Sequence, residues 1–304
     1  MLLLRMRCGL GNQMFQYAAV RALAQRLGCS FAYTGDAVKW TSHLRLALQR
    51  RRPLVLAPRF DLDRWFLLGG SGRWANQWHV QRFRLRYGFV PKQYVEPIID
   101  CGSSIRELTR FDPAFFDVNP GTEILGFFQS ESYFRDCRQL VKSWFTPQPQ
   151  FVQAARVAAQ STGVSAEQRC CIHVRRGDYL SMRNGGASDG WALPRAYYDN
   201  ALATLPRGLK FVVVTDDPEW ARDEFSALAP QVFSHRDQSI IDLLILAECR
   251  VNIIANSSFS WWGAYLNDQP GREVLFPKHF LGWAFQTELP QGISVAEWKA
   301  IPAL

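Results

Sequence analysis

The chain has 304 residues, 48% of them apolar, and a formal net charge of +8. That length can bury the core of two domains, and the ordinary apolar and charged fractions exclude a disordered or fibrous chain. Lysine occurs only six times and arginine supplies the rest of the positive charge, a bias that suits phosphate-bearing molecules, nucleic acid or an acidic membrane surface.

At the start of the chain, apolar side chains at Leu2, Leu4, Met6 and Cys8 alternate with others, which predicts a strand. The Met1–Arg7 stretch is too short for a signal segment, and no later apolar run can span a bilayer. The seven cysteines are an odd number without CxxC spacing, so the expected compartment is a reducing cytoplasm, with membrane contact at most peripheral. Gly9-Leu10-Gly11-Asn12-Gln13 follows, and then Phe15, Ala18, Ala19, Ala22, Leu23 and Leu27 recur at helical spacing up to a stop at Gly28. Strand, glycine turn and helix open an α/β unit.

Residues 45–90 carry ten arginines, interleaved with Trp65, Phe66, Trp74 and Trp78, and have little regular period. A seam is expected between Pro147 and Ser165, dividing an N-terminal α/β lobe (1–165) from a C-terminal lobe (166–290) and a tail (291–304) that packs back on the first lobe. After the seam, apolar strand candidates at 170–174, 211–215, 231–233, 251–255 and 273–276 alternate with helical segments near 194–204, 218–228, 239–249 and 258–267. That alternation predicts a parallel sheet with right-handed crossovers. Ligands of such sheets bind beyond the carboxyl ends of the strands, which puts His173–Asp178, Thr215–Asp217, Asn256–Ser258 and Lys278–His279 on one rim.

Several motifs on this framework carry chemistry. His173-Val174-Arg175-Arg176-Gly177-Asp178 places two guanidinium groups at a strand end, where they serve either a phosphate or an internal Arg–Asp pair. The Gly9–Gln13 loop lacks the third glycine of the dinucleotide fingerprint, so it is either a tight turn or a place where the backbone at Gly11 approaches an anion. Asp242, in an otherwise apolar helix, either satisfies the helix start or accepts two N–H groups of a guanine ring. Asn256-Ser257-Ser258 either caps a helix or receives a phosphate. Two adjacent tryptophans, Trp261 and Trp262, are not expected to be buried together, which leaves one to wall a sugar pocket. Asp61-Leu62-Asp63 has the form of a cation-binding DxD but follows no clear strand, and the histidines show no metal-ligand spacing, so no metal site is expected.

Gly9 to Ala18, His173 to Tyr179 and Ala255 to Leu266 together resemble the α-1,2-fucosyltransferases of glycosyltransferase family 11. Gly126-Phe127-Phe128-Gln129-Ser130 and Thr215-Asp216-Asp217 resemble further segments, and the likeness runs from Met1 to about Trp283. The resemblance implies a GT-B fold of two Rossmann-like lobes, with the donor site in the C-terminal lobe. It implies inverting transfer of L-fucose from GDP-β-L-fucose to O2 of a galactose-terminated glycan, in glycan or O-antigen assembly, without a cofactor or metal. Nucleic acid is not expected as a partner; peripheral contact with an acidic membrane or a lipid-linked glycan is.

Similarity to the α-1,6 enzymes implies that His173 and Asp242 recognise guanine, that Arg175 holds the β-phosphate, and that Ser258, with Asn256 and Ser257 beside it, contacts phosphate. A comparable loop in protein O-fucosyltransferases makes Gly9, Gly11 and Asn12 donor contacts. Arg175, Arg176, Asp178 and Asn12 are then the expected catalytic set, with Asp178 either a base or a group that orients the arginines. Two departures stand out: Cys8 occupies a usual glycine position, and the α-1,6 base would fall at Arg183. Rival readings are a fucosyltransferase of other linkage, a basic nucleic-acid-binding module, and a silent GDP-sugar or glycan-binding protein.

Overall fold

The computed structural model describes residues 1–35, 60–69, 72–75, 77–89, 91–99, 108–182 and 190–304; Arg183 and most of the arginine-rich stretch before Phe60 lie outside these. The chain divides into two compact units, Met1–Pro97 with Thr109–Thr146, and Ile98–Leu108 with Pro147–Leu304. The division falls at Thr146 rather than at residue 165, because the helix Pro149–Gln160 packs on a helix of the second unit.

In the first unit, β1 (Leu2–Met6) leads into α1 (Leu10–Arg26) and β2 (Phe31–Gly35). The helix α2 (Asp61–Trp65), β3 (Gly72–Trp74), α3 (Gln77–Tyr87), β4 (Gln93–Val95) and β5 (Glu123–Leu125) follow. Among the described residues the sheet order is β3-β2-β1-β5-β4, all parallel. The central strand β1 is buried along its whole length, as a strand covered on both faces must be, so the alternation seen in the sequence is not a solvent-facing pattern. Arg5 is tolerated there because its guanidinium pairs with Glu123 of neighbouring β5. The strand stops at Met6, and Gly28 ends α1 at φ 57°, where only glycine is unstrained.

The second unit begins with α4 (Pro149–Gln160) and continues β6 (Arg169–Val174), α5 (Arg195–Leu202), β7 (Lys210–Thr215) and α6 (Pro218–Glu224). It goes on through β8 (Gln231–Phe233), α7 (Ser239–Ala247), β9 (Val251–Ile253), α8 (Ser258–Tyr265), β10 (Glu273–Pro277) and β11 (Lys299–Ile301). Its sheet runs β8-β7-β6-β9-β10-β11 among the described residues, again all parallel. The chain winds outward from β6 to β8, then restarts beside β6 and winds the other way. Strand order therefore reverses between β6 and β9, and the crevice at that point is where α/β sheets of this order bind ligands.

The tail corrects two sequence expectations at once. Residues 299–301 form the edge strand β11 on β10, and Ile301 and Ala303 join the core of the second unit, to which the tail belongs. Trp261 and Trp262 are both fully buried, contrary to the expectation that one would wall a sugar pocket. The tail covers Trp261, whose indole donates to the Ile293 carbonyl at 3.0 Å and lies 5.3 Å from the Trp298 ring, while Trp262 packs edge-on against Trp261 and Tyr265. A returning segment thus supplies the cover that Trp261 needs.

Candidate functional site

Strand β6 delivers His173 to the reversal point and ends at Val174. The loop that follows is tied down by the first turn after β7. Asp216 accepts the Arg176 backbone N–H at 2.9 Å through Oδ1 and the Arg175 guanidinium at 3.0 Å through Oδ2. A side chain at Gly177 would collide with that carboxylate at 2.7 Å, so glycine is needed for the loop to close on Asp216. The sequence places Asp216 on the rim, within Thr215–Asp217, and in a family-like segment, but does not give it a role; its position just past the end of β7 is what lets it hold both arginines' loop.

The two arginines have different surroundings. Arg175 is 37% exposed, lies over the Tyr179 ring and donates to Asp178 Oδ1 at 2.7 Å as well as to Asp216. Asp178 is itself half exposed, so this pair is weakly held by water-screened attraction and can exchange for another anion. Arg176 is 15% exposed, pairs with Asp217 at 3.2 Å and stacks at 4.1 Å over Trp220 of α6. Asp217 also caps α6, accepting the Trp220 backbone N–H. Arg176 therefore fastens the loop to α6, while Arg175 is the guanidinium with room to meet a ligand. Asp178 pairs with Arg175, the contact that the orienting role, one of the two the sequence left open, requires.

Strand β9 supplies the other wall. Ser257 caps α8 by accepting the Phe259 N–H, leaving half-buried Ser258 in the first turn among helix N–H groups. The Asn256 amide donates to the Trp191 carbonyl at 2.8 Å, and its Oδ1 is buried without a partner. Tyr179 donates to the Asn256 carbonyl at 3.2 Å, joining this wall to the β6 loop. His173 Nδ1 is likewise buried and unpaired, with the ring 5.6 Å from Phe259. Burial and the neighbouring Arg175 charge push the His173 pKa down to about 3, so the imidazole is neutral. Two orphaned buried polar atoms at the reversal point each cost about 1–3 kcal/mol unless a ligand satisfies them.

Asp242 lies further along the rim, in the first turn of α7. Its Oδ2 accepts the His235 N–H at 2.8 Å and its Oδ1 meets His235 Nδ1 at 2.5 Å. Burial raises the Asp242 pKa and the His235 contacts oppose that rise. Sequence reading missed His235; it follows β8, on the same rim, and that was the available signal.

In the first unit, the β1–α1 turn is held from within. Gln16 brackets the Arg7 backbone, and Gln13 donates to the Cys8 carbonyl at 2.7 Å. Cys8 adopts φ 64°, so the turn keeps a glycine-like conformation although a cysteine occupies it. Gly9 caps α1 in an extended conformation with open space around it, and Gly11 is buried in the first helical turn. Asn12 Oδ1 accepts from Gln129 at 2.6 Å. The loop bearing Gln129 is fixed by buried Glu96, whose Oε2 accepts the N–H groups of Phe127 and Phe128 at 2.7 and 2.8 Å. Burial pushes the Glu96 pKa up to about 7. Of the DxD aspartates, Asp63 accepts from the Tyr33 hydroxyl, and no group of three His, Cys, Asp or Glu able to hold a metal occurs among the described residues.

The model of the family described as glycosyl transferase family 11 matches residues 123–301, more than half of the chain. The chain belongs to glycosyl transferase family 11. It is 27% identical to the alpha-1,2-colitosyltransferase of Escherichia coli over 87% of each protein. It is 28% identical to galactoside alpha-(1,2)-fucosyltransferase 1 of Saimiri sciureus, over 96% of this chain and 72% of that protein. Among solved structures, a mutant of Arabidopsis thaliana FUT1 in complex with GDP aligns with TM-score 0.50 at 12% identity, over 88% of this chain and 68% of that one. That likeness concerns the fold, and it agrees with a GT-B glycosyltransferase built from two parallel-sheet units. For this family 11 chain, the rim of the second unit carries His173, Arg175, Arg176, Asp178, Asn256, Ser257 and Ser258, with Asp242 further along it beside His235, while Gly9, Gly11 and Asn12 belong to the first unit.

Proposed function

We propose that this family 11 glycosyltransferase moves L-fucose, with inversion, from GDP-β-L-fucose to O2 of a terminal galactoside. The observation that carries the proposal is Arg175: an accessible guanidinium, restrained by two carboxylates, at the strand-order reversal beside two unsatisfied buried polar atoms. As the C1–O bond to the diphosphate breaks, negative charge grows on the leaving oxygen. A donor already fixed at that place lowers the barrier without reorganising. Arg175 supplies that donor, and the Ser258 hydroxyl with the N–H groups at the start of α8 binds the same phosphates. Neutral His173 offers an imidazole to the guanine. Asp178 and Asp216 aim Arg175, and Arg176 keeps the loop on α6. Asn12 is assigned to the same reaction. Because a guanidinium absorbs the leaving charge, transfer proceeds without a divalent cation.

The E. coli relative named as a colitosyltransferase favours a second reading in which the donor sugar is colitose, which lacks the 3-hydroxyl of fucose. One assay tests both: GDP-fucose and GDP-colitose are offered with lactose and other galactosides, with and without EDTA, and linkage is read by NMR. An α-1,2-fucosyl product unaffected by EDTA is the expected result. Preference for GDP-colitose moves the donor assignment to the second reading, and strict dependence on manganese or magnesium removes Arg175 from its role.

A further inference from the structure

The helix α3 (Gln77–Tyr87) has an apolar face more than its core needs. Its inward side chains Val80 and Phe83 are buried against Leu3, Ala32 and Ala75 of the first unit. A helix serving that core alone would be polar on the other side. Instead Trp78 is 75% exposed, Leu85 is 66% exposed, and Phe89, just beyond the glycine stop at Gly88, is 80% exposed. Trp78, Arg82 and Leu85 are spaced four and three residues apart, so they lie along one stripe, with Arg86 beside it. Large apolar side chains gathered on an exposed face mark an interaction surface.

Charge decides what covers it. From Arg64 to Val95 the sequence contains Arg64, Arg73, Arg82, Arg84, Arg86 and Lys92 and not one aspartate or glutamate. The partner is therefore anionic and also takes up apolar side chains. Nucleic acid would meet the arginines and stack on Trp78 and Phe89, but it offers nothing to Leu85. The interface of an anionic bilayer accepts all of them: Trp, Leu and Phe enter the acyl boundary while Arg stays among the phosphates. We propose that the outward stripe of α3, Trp78, Arg82 and Leu85, together with Arg86 and Phe89, docks this protein on an anionic lipid bilayer. The contact lies in the first unit and does not depend on which sugar nucleotide the second unit binds.

The test is co-sedimentation of the full chain with vesicles of phosphatidylcholine alone or with about 30% phosphatidylglycerol, at low and high salt. Wild type is expected to sediment with the anionic vesicles, and less so at high salt. The Trp78→Ser, Leu85→Ser, Phe89→Ser triple variant is expected to lose about tenfold or more in partitioning at both salt concentrations. The Arg82→Glu, Arg86→Glu variant loses the salt-sensitive part. Because these side chains are exposed, circular dichroism and thermal melting should match wild type, and transfer to a soluble acceptor should be unchanged. Equal sedimentation with neutral and anionic vesicles, a serine triple variant that binds like wild type, or tighter binding to an RNA oligonucleotide than to anionic vesicles would each overturn the proposal.

Discussion

Replacing Arg175 by alanine separates what this residue does for folding from what it does for transfer. In the folded protein its guanidinium holds Asp178 at 2.7 Å and Asp216 at 3.0 Å from a side chain 37% exposed. Pairs this open to water contribute about 0–1 kcal/mol each. Asp216 also keeps its bond to the Arg176 N–H at 2.9 Å, so no buried carboxylate is orphaned. The melting temperature should therefore fall by only a few degrees, the equivalent of about 1 kcal/mol. If Arg175 meets the charge that develops on the departing diphosphate, its loss raises the barrier by about 2.7–4 kcal/mol, roughly a hundred- to a thousandfold in kcat. Initial rates against GDP-fucose with lactose, paired with calorimetric melting, read both numbers on one preparation. Arg175→Lys keeps the charge but loses the planar fork, and should fall between the two. An alanine variant of normal melting temperature that keeps more than about a tenth of wild-type kcat would show that Arg175 does not meet the leaving charge.

Arg176→Ala should show the reverse balance: it loses the Asp217 pair and the Trp220 stacking, so melting drops by the equivalent of about 1–2 kcal/mol while kcat falls less than in Arg175→Ala. Burial raises the Glu96 pKa to about 7 from its ordinary 4.5, so the folded chain holds a proton there that the unfolded chain has released. Its contribution is fully present below about 4.5 and is lost as pH rises towards 7, so the stability of wild type relative to Glu96→Gln should fall across that window in urea titrations. Absence of any pH-dependent difference would argue that the carboxyl titrates normally. His173 acts with the opposite sign: with a folded pKa near 3 against 6.5, its contribution stands above 6.5 and is lost as pH falls towards 3. His173→Gln should therefore unfold less steeply with acid than wild type, and it should raise the donor KM more than it lowers kcat. A parallel acid profile would count against a buried neutral imidazole.

Much of the second unit could be read from the chain. Its five sequence-predicted strands fall within a few residues of β6–β10, because strands buried on both faces are written as short unbroken apolar runs between helices. The rim carrying the family motifs followed from one topological rule. The edge strand β11 was not legible: Lys299-Ala300-Ile301 has no strand-like run, and it becomes a strand only because β10 offers an unpaired edge. The burial of Trp261 was misjudged for the same reason, since its cover is supplied by residues some thirty positions later.

Sequence alone determined which chemical groups are present and, by local period and motif spacing, where strands hand them to the rim. The division of labour between the arginines needed the tertiary structure. Arg175 and Arg176 are adjacent and identical in kind, yet one is left accessible between Asp178 and Asp216 while the other is locked onto Asp217 and Trp220. The same holds for Asp242, whose carboxylate meets His235, and for Asn12, which is reached through Gln129 and Glu96. Local sequence fixes the backbone period, but charges are paired by segments brought together through the sheet, and that pairing decides which of them remains available to a ligand.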